Sequence, residues 1–127
     1  MRLNHVTLPV SDLAVAIAFY ERLGLTLIVR AYPRYARFAV DDTSTLSVEV
    51  ARDGQVGSAE VHLCCTDVDA DFAAAEARGL IFDTAPTDQS YLWRTAAIRD
   101  PDGNRIILFS PGRNQHFPPW RLDGRRE

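Results

Sequence analysis

Two histidines and one glutamate in this 127-residue chain have side-chain types that bind metal ions. His5, Glu49 and His62 each lie in a short run in which apolar and polar residues alternate, on the polar side of that run. Because successive strand residues point to opposite faces, we predict all three side chains on the sheet face that turns away from the helices. Two imidazoles and a carboxylate converging there would suit a divalent ion such as Zn²⁺, Ni²⁺, Fe²⁺ or Mn²⁺. The alternative is that each is an ordinary hydrogen-bonded or solvent-facing residue.

A second group of side chains indicates a pocket for an organic molecule. It combines aromatic rings, two arginines and one aliphatic side chain in predicted strands: Tyr35, Arg37, Trp93, Arg105, Ile107 and Phe109. An aromatic-lined pocket with an arginine suits a planar, anionic or carbonyl-bearing small molecule. The competing interpretation is that the rings pack within the sheet and the arginines face solvent.

These residues are positioned by a strand–helix unit that occurs twice. In the first copy, Asp12 is a predicted helix N-cap and Gly24 a left-handed helix stop, and Asp67 and Gly79 repeat that spacing. Each copy carries a histidine in the strand before its aspartate. A sequence that repeats in this way predicts two similar modules that pack as a pair, because neither can cover its sheet alone.

Each module is predicted as a strand, a helix and three strands, which makes an α+β fold. A polar, glycine-containing connection over residues 52–58 separates modules 3–52 and 59–110 of a single domain, residues 1–111. Residues 112–127 are predicted to form an extended C-terminal tail. The remaining predicted elements are strands Leu25–Val29, Tyr35–Val40, Thr45–Val50, Glu60–Cys65, Leu80–Asp83, Tyr91–Ile98 and Ile106–Phe109, and helix Asp67–Arg78.

Composition and charge narrow the function classes. A net charge of −3 argues against a general nucleic-acid binder, which would usually show a basic face. No apolar run is long enough to span a bilayer and the start has no signal-peptide core, so we expect no membrane association and a cytoplasmic location. Cys64 and Cys65 are neighbours in a predicted strand, so their thiols should point apart and stay reduced and buried.

Three stretches together resemble the vicinal oxygen chelate superfamily of glyoxalase I, bleomycin and fosfomycin resistance proteins and extradiol dioxygenases. They are NHVTLPVSDLAVAIAFYERLGL, EVHLCCTDVDADFAAAEARGL and DPDGNRIILFSP. The resemblance covers residues 3 to 111. It implies a tandem βαβββ fold with a curved eight-stranded sheet around a cavity, and a homodimer in many members.

The resemblance implies metal ligands at His5, Glu49 and His62, but the family's last-strand glutamate corresponds here to Ile107. Three outcomes follow for the cofactor. These three residues hold the ion, with Glu49 as the catalytic base; or Glu60 or His116 supplies a further ligand; or the cavity binds an organic ligand with no metal at all. The first hypothesis is a divalent-metal-dependent enzyme of lyase, isomerase or dioxygenase type, and the alternative is a metal-free sequestering protein of the bleomycin-resistance type.

Overall fold

The computed structural model describes residues 1–122. Its elements follow the predicted order of strand, helix and three strands in each half, and the α+β fold is confirmed. The first module comprises β1 (His5–Val10), α1 (Leu13–Leu23), β2 (Thr26–Ala31), β3 (Tyr35–Ala39) and β4 (Thr45–Val50). The second comprises β5 (Glu60–Cys64), α2 (Val68–Ala77), β6 (Thr84–Asp88), β7 (Arg94–Arg99) and β8 (Arg105–Ser110).

Both helices begin at the predicted caps. The side chain of Asp12 accepts a hydrogen bond from the N–H of Val15 at 3.1 Å, and that of Asp67 accepts one from Ala70 at 3.0 Å. α1 ends at Gly24, whose φ of 119° is the left-handed conformation that glycine adopts without strain. No helix within residues 1–122 has the length and apolar content needed to cross a membrane.

The eight strands form two mixed four-stranded sheets, ordered β1-β4-β3-β2 and β5-β8-β7-β6. In each sheet the first and last strands of the module pair in parallel and the other neighbours pair antiparallel. β1 and β5 are therefore edge strands. We call the sheet face opposite the helices the outer face.

The sequence prediction was wrong in the middle of the second module. Leu80–Asp83 is not a strand, and β6 lies in the segment predicted as a polar loop around Pro86. Proline is tolerated there because β6 is an edge strand, in which alternate N–H groups point away from the sheet and need no strand partner. β7 begins three residues later than predicted, because Leu92 has a φ of 68° and its N–H closes a turn on Gln89.

The described part of the C-terminal tail, residues 112–122, contains turns and makes one hydrogen bond to Trp93, the residue that precedes β7. It begins with a 3₁₀ turn (Gly112–Asn114), and the indole N–H of Trp93 donates to the carbonyl of Asn114 at 3.2 Å. Further along, Arg121 donates to the carbonyl of His116 at 2.8 Å. The rest of the predicted tail, residues 123–127, lies outside the described residues.

The two modules share one apolar core and a buried polar junction. The Tyr20 hydroxyl in α1 donates to Asp100 in the β7–β8 turn at 2.7 Å, and the Ser11 N–H donates to Asp102 at 3.0 Å. Burial, followed by the hydrogen bond to Asp100, raises the pKa of Tyr20. The largest fully buried core side chains include Tyr20, Phe38, Leu46, Ile106, Val10 and Val48.

Candidate functional site

His5 lies at the start of β1 on the outer face, among hydroxyl groups. Its Nδ1 is 2.6 Å from the Oγ1 of Thr45, its register partner on β4, and its Nε2 is 3.2 Å from the Oγ1 of Thr7. Both ring nitrogens are thus engaged with threonine side chains. The β4 residue beside His5 is a threonine and not the predicted glutamate.

Glu49 is also on the outer face of the first sheet, but at the other end of β4. Its register partners are Pro9 on β1 and Tyr35 on β3. It lies four residues along the strand from the partner of His5, which is roughly 13 Å at the rise of a β-strand. In the single chain, the pairing of β1 with β4 therefore does not bring the Glu49 carboxylate beside the His5 imidazole. Glu49 instead lines a cleft of about 370 Å³ with Thr7, Pro9 and the connection between the modules.

His62 lies on the outer face of the second sheet, among aromatic rings. Its ring meets those of Phe109 and Trp93 edge-on, with centroids 5.3 and 5.8 Å apart. Trp93 also packs on Phe109 at 4.8 Å and on Tyr91 at 5.5 Å. We call His62, Tyr91, Trp93 and Phe109 the aromatic wall. Within this wall Phe109 is buried at the base, whereas His62 is exposed and Tyr91 is 44% exposed.

His5 and His62 line one cleft of about 250 Å³, where the edge strands β1 and β5 approach each other. Cys64 and Asp41 line it too. The structure therefore brings together the two predicted histidine ligands and leaves Glu49 in a different cleft.

The alternative ligands named from the sequence have other partners. Glu60 forms an ion pair with Arg105, its register partner on β8. Ile107 is opposite His62 in the register and is buried, so no oxygen ligand stands there. His116 lies in the tail beside Phe117. Among residues 1–122, no three His, Cys, Asp or Glu side chains are grouped closely enough to hold a metal ion, so the described donors do not fit the family's metal.

Arg37 and Tyr35 form a connected polar group on the outer face of the first sheet. The Arg37 Nε–H donates to the Tyr35 hydroxyl at 2.9 Å, and that hydroxyl is 2.5 Å from the Oγ of Ser47. Ser47 is fully buried, and Arg37 and Tyr35 are half-buried. The guanidinium carbon lies 5.5 Å from the centroid of the Tyr35 ring.

The two cysteines differ in environment, and the expectation that both are buried is wrong for one of them. Cys64 is exposed, and Cys65, the residue that follows β5, is half-buried against the core. Burial raises the pKa of the Cys65 thiol to about 12, so this side chain stays protonated at neutral pH.

Sequence reasoning missed three contributors to these surfaces. Thr45 and Ser47 were recognised as polar strand residues but were not assigned to a site, and the tail carbonyl of Asn114 was not expected on Trp93. The alternation of β4 places Thr45, Ser47 and Glu49 on one face and could have identified the first two. No sequence signal indicates the Asn114 contact.

Comparison with protein families gives one assignment. A family model described as the Glyoxalase/Bleomycin resistance protein/Dioxygenase superfamily matches residues 2–108. A search of curated proteins found no match.

Solved structures with the same fold include both binding proteins and an enzyme. TnmS3, an antibiotic binding protein from Streptomyces sp. CB03234, is 28% identical, with a TM-score of 0.73 over 88% of this chain and 97% of that one. A bleomycin-binding protein complexed with bleomycin is 22% identical, with a TM-score of 0.73 over 88% and 99%. A lactoylglutathione lyase from Agrobacterium tumefaciens is 21% identical, with a TM-score of 0.72 over 86% and 92%.

Proposed function

Because the chain belongs to the Glyoxalase/Bleomycin resistance protein/Dioxygenase superfamily, we propose that it binds a small, largely aromatic organic molecule without using a metal ion. The observation that carries this proposal is the aromatic wall, which is partly open to solvent on the outer face of the second sheet. Aromatic side chains with a few polar groups are typical of pockets for organic ligands.

The strand register supports a metal-free function. The residues that face the two histidines across their sheets are Thr45 and Ile107, and neither is a carboxylate. The one outer-face glutamate of the first sheet, Glu49, is separated from His5 along the strand. A family-type centre with histidine and glutamate ligands is therefore not assembled from the described side chains.

Two of the similar structures are those of binding proteins, which agrees with a binding role for this chain. One is an antibiotic binding protein and the other was solved with bleomycin bound. In this chain, Tyr91 and Trp93 would stack on a planar part of such a ligand, with Phe109 packed behind Trp93, and His62 would contact the edge of the ligand.

We further propose that two copies of the chain form a homodimer that encloses the ligand. Both outer faces carry exposed residues in the single chain, His5 on the first sheet and His62 on the second, and edge strand β2 exposes Ile28 and Val29, followed by Tyr32. Burying such residues against a second copy would remove apolar area from water. Light scattering after size exclusion should give twice the mass of one chain; the mass of a single chain would contradict this part of the proposal.

Trp93 supplies a direct test of ligand binding. A Trp120→Phe variant leaves Trp93 as the one tryptophan, so its fluorescence reports on the aromatic wall alone. Bleomycin and a set of planar aromatic compounds would be titrated into this variant after chelator treatment. We expect saturable quenching of the Trp93 fluorescence. Tyr91→Ala should raise the dissociation constant obtained from it by at least about fivefold, since stacking on one ring contributes roughly 1 kcal/mol. No saturable change with any compound would refute the proposal for this ligand class.

A divalent-metal enzyme is the second candidate, because His5 and His62 line the same cleft and a lactoylglutathione lyase has the same fold. Zinc, nickel, iron or manganese would be the ion, and Glu49 remains a prediction as its ligand and as the catalytic base. Elemental analysis of untagged protein separates the candidates. Near-stoichiometric metal that is lost in His5→Ala and in Glu49→Gln would establish the second candidate, whereas metal-free protein after incubation with each ion would retire it.

A further inference from the structure

Arg37 occupies the middle of the outer face of the first sheet. In the register it faces Ser47 on β4, and Ser47 in turn faces Thr7 on β1. The corresponding row of the second sheet reads Ala97, Ile107 and His62, so an alanine takes the place of the arginine. The arginine thus occurs in the first module only and is not shared by the two copies of the repeat.

The guanidinium of Arg37 is held in place with most of its donors unused. Its Nε–H is bonded to Tyr35, whose hydroxyl is itself held by the buried Ser47. Within residues 1–122 its terminal nitrogens form no hydrogen bond and no ion pair. Arginine has five N–H donors in a rigid fork, so four remain for a ligand. An arginine fixed in this way loses little side-chain entropy when it binds.

The surroundings of Arg37 favour a single negative charge. The side chains beside it in the register are the hydroxyls of Ser47 and Thr7, and Glu49 stands at the diagonal position on β4. Diagonal neighbours in an antiparallel pair are about 7–8 Å apart, close enough for the Glu49 carboxylate to oppose a second negative charge on a ligand. A planar carboxylate matches the fork of one arginine and needs one positive charge, whereas a phosphate dianion would need more.

We propose that Arg37 is an anion-binding residue on the outer face of the first sheet and that it selects monocarboxylates. This inference rests on the proposed binding function and names its ligand class. The carboxylate is held by the terminal nitrogens of Arg37, with the Ser47–Tyr35 pair as support behind the guanidinium.

The test compares three probes that share one naphthalene ring: 2-naphthoate, 2-naphthamide (the same shape without the charge) and 2-naphthyl phosphate. Affinity is measured by calorimetry on the full chain, and the Arg37 Nε–H resonance is followed by ¹⁵N NMR. We expect naphthoate to bind at least about tenfold more tightly than naphthamide and than naphthyl phosphate, and to shift the Nε–H signal, because a bidentate charge-assisted pair contributes at least about a factor of ten. Equal affinity for naphthoate and naphthamide would overturn the proposal, and tighter binding of the phosphate would overturn the carboxylate assignment.

Variants localise the effect. Arg37→Gln should weaken naphthoate binding about tenfold and leave naphthamide binding unchanged. The matched control is Arg99→Gln, which removes the same charge from an exposed arginine paired with Asp83 on the second sheet and should leave naphthoate affinity within about twofold. Glu49→Gln should strengthen naphthoate binding about two- to threefold. Equal losses in Arg37→Gln and Arg99→Gln would show a general charge effect and reject the site.

Acetate separates this inference from the proposed function. If no naphthyl probe binds, the aromatic-ligand function has failed, and the Arg37 Nε–H signal is then titrated with acetate in the wild-type chain. A saturable shift keeps the anion site, and the absence of a shift rejects it. The naphthoate-to-naphthamide ratio and the acetate titration need no variant, so they decide the matter even if Arg37→Gln does not fold.

Discussion

Replacing Tyr20 with phenylalanine removes one hydroxyl at the junction of the two modules. That hydroxyl donates to Asp100 Oδ2 at 2.7 Å, and both residues are buried. The same carboxylate accepts three further hydrogen bonds, from the Asn104 side chain and from the N–H groups of Asp102 and Asn104, which the variant retains. The phenyl ring fills the same space, so no cavity forms. A hydrogen bond to a charged group contributes about 1.5–3 kcal/mol, and we expect the free energy of unfolding to fall by about 2 kcal/mol.

Urea denaturation at neutral pH, followed by fluorescence, measures this change. Tyr91→Phe is the matched control, because it removes the same hydroxyl from a side chain that is 44% exposed and should change the free energy of unfolding by less than about 0.5 kcal/mol. If Tyr20→Phe were no less stable than Tyr91→Phe, the junction would make no net contribution and the reasoning would be refuted.

Alkaline pH provides an independent reading of the same contact. Burial and the Asp100 hydrogen bond raise the pKa of Tyr20 above its ordinary value near 10, so the native chain holds the phenolic proton more tightly than the unfolded chain. The resulting stabilisation is fully present below about pH 10 and is lost as the pH rises further, because the unfolded chain ionises first. The stability difference between the wild type and Tyr20→Phe should therefore shrink from about pH 9 to about pH 11. A constant difference over that range would contradict the assignment.

Three further changes test the backbone, the thiols and the tail. In urea denaturation, Gly57→Ala should lower the free energy of unfolding by about 1–2 kcal/mol more than Gly54→Ala does. Both glycines have positive φ, so both variants bear the same backbone strain. A Cβ at Gly57 would in addition overlap a backbone carbonyl of the β7–β8 turn, whereas Gly54 faces open space. At pH 8, Ellman's reagent should label one thiol rapidly, the exposed Cys64, because the pKa of Cys65 is raised to about 12; rapid labelling of both would contradict this environment. Trp93→Phe removes the indole donor to the 3₁₀ turn, so trypsin should cleave the C-terminal segment about fivefold faster, and an unchanged rate would show that the contact does not hold the tail.

Much of the fold was predictable because its signals are local. The aspartate before each helix and the glycine after it are set by backbone hydrogen-bonding needs, which act over four residues. Strand alternation placed His5, Glu49 and His62 on outer faces correctly, because the side-chain period of a strand is two. β6 and the tail were not predictable in this way. An edge strand containing Pro86 carries a weak strand pattern, and the tail depends on one long-range contact with Trp93.

The candidate site shows where alternation is insufficient. Alternation assigns a residue to a sheet face, but it does not tell which residue of the neighbouring strand lies beside it. That depends on the register between the two strands. His5 and Glu49 share a face and are still four residues apart in register, with Thr45 taking the place beside His5. Only the pairing of β1 with β4, which joins residues forty positions apart, reveals this separation.

The two histidines are also not equivalent in the repeat. With the N-cap aspartates of the two helices aligned, His5 corresponds to Glu60, which is bonded to Arg105, and His62 corresponds to Thr7. The strand register gives the same correspondence, because His5 faces Thr45 where Glu60 faces Arg105. One module thus places its histidine among hydroxyls next to a sheet face that carries Arg37, and the other places its histidine among aromatic rings. One polar face and one aromatic face would suit the proposed ligand, an aromatic molecule with a polar head group.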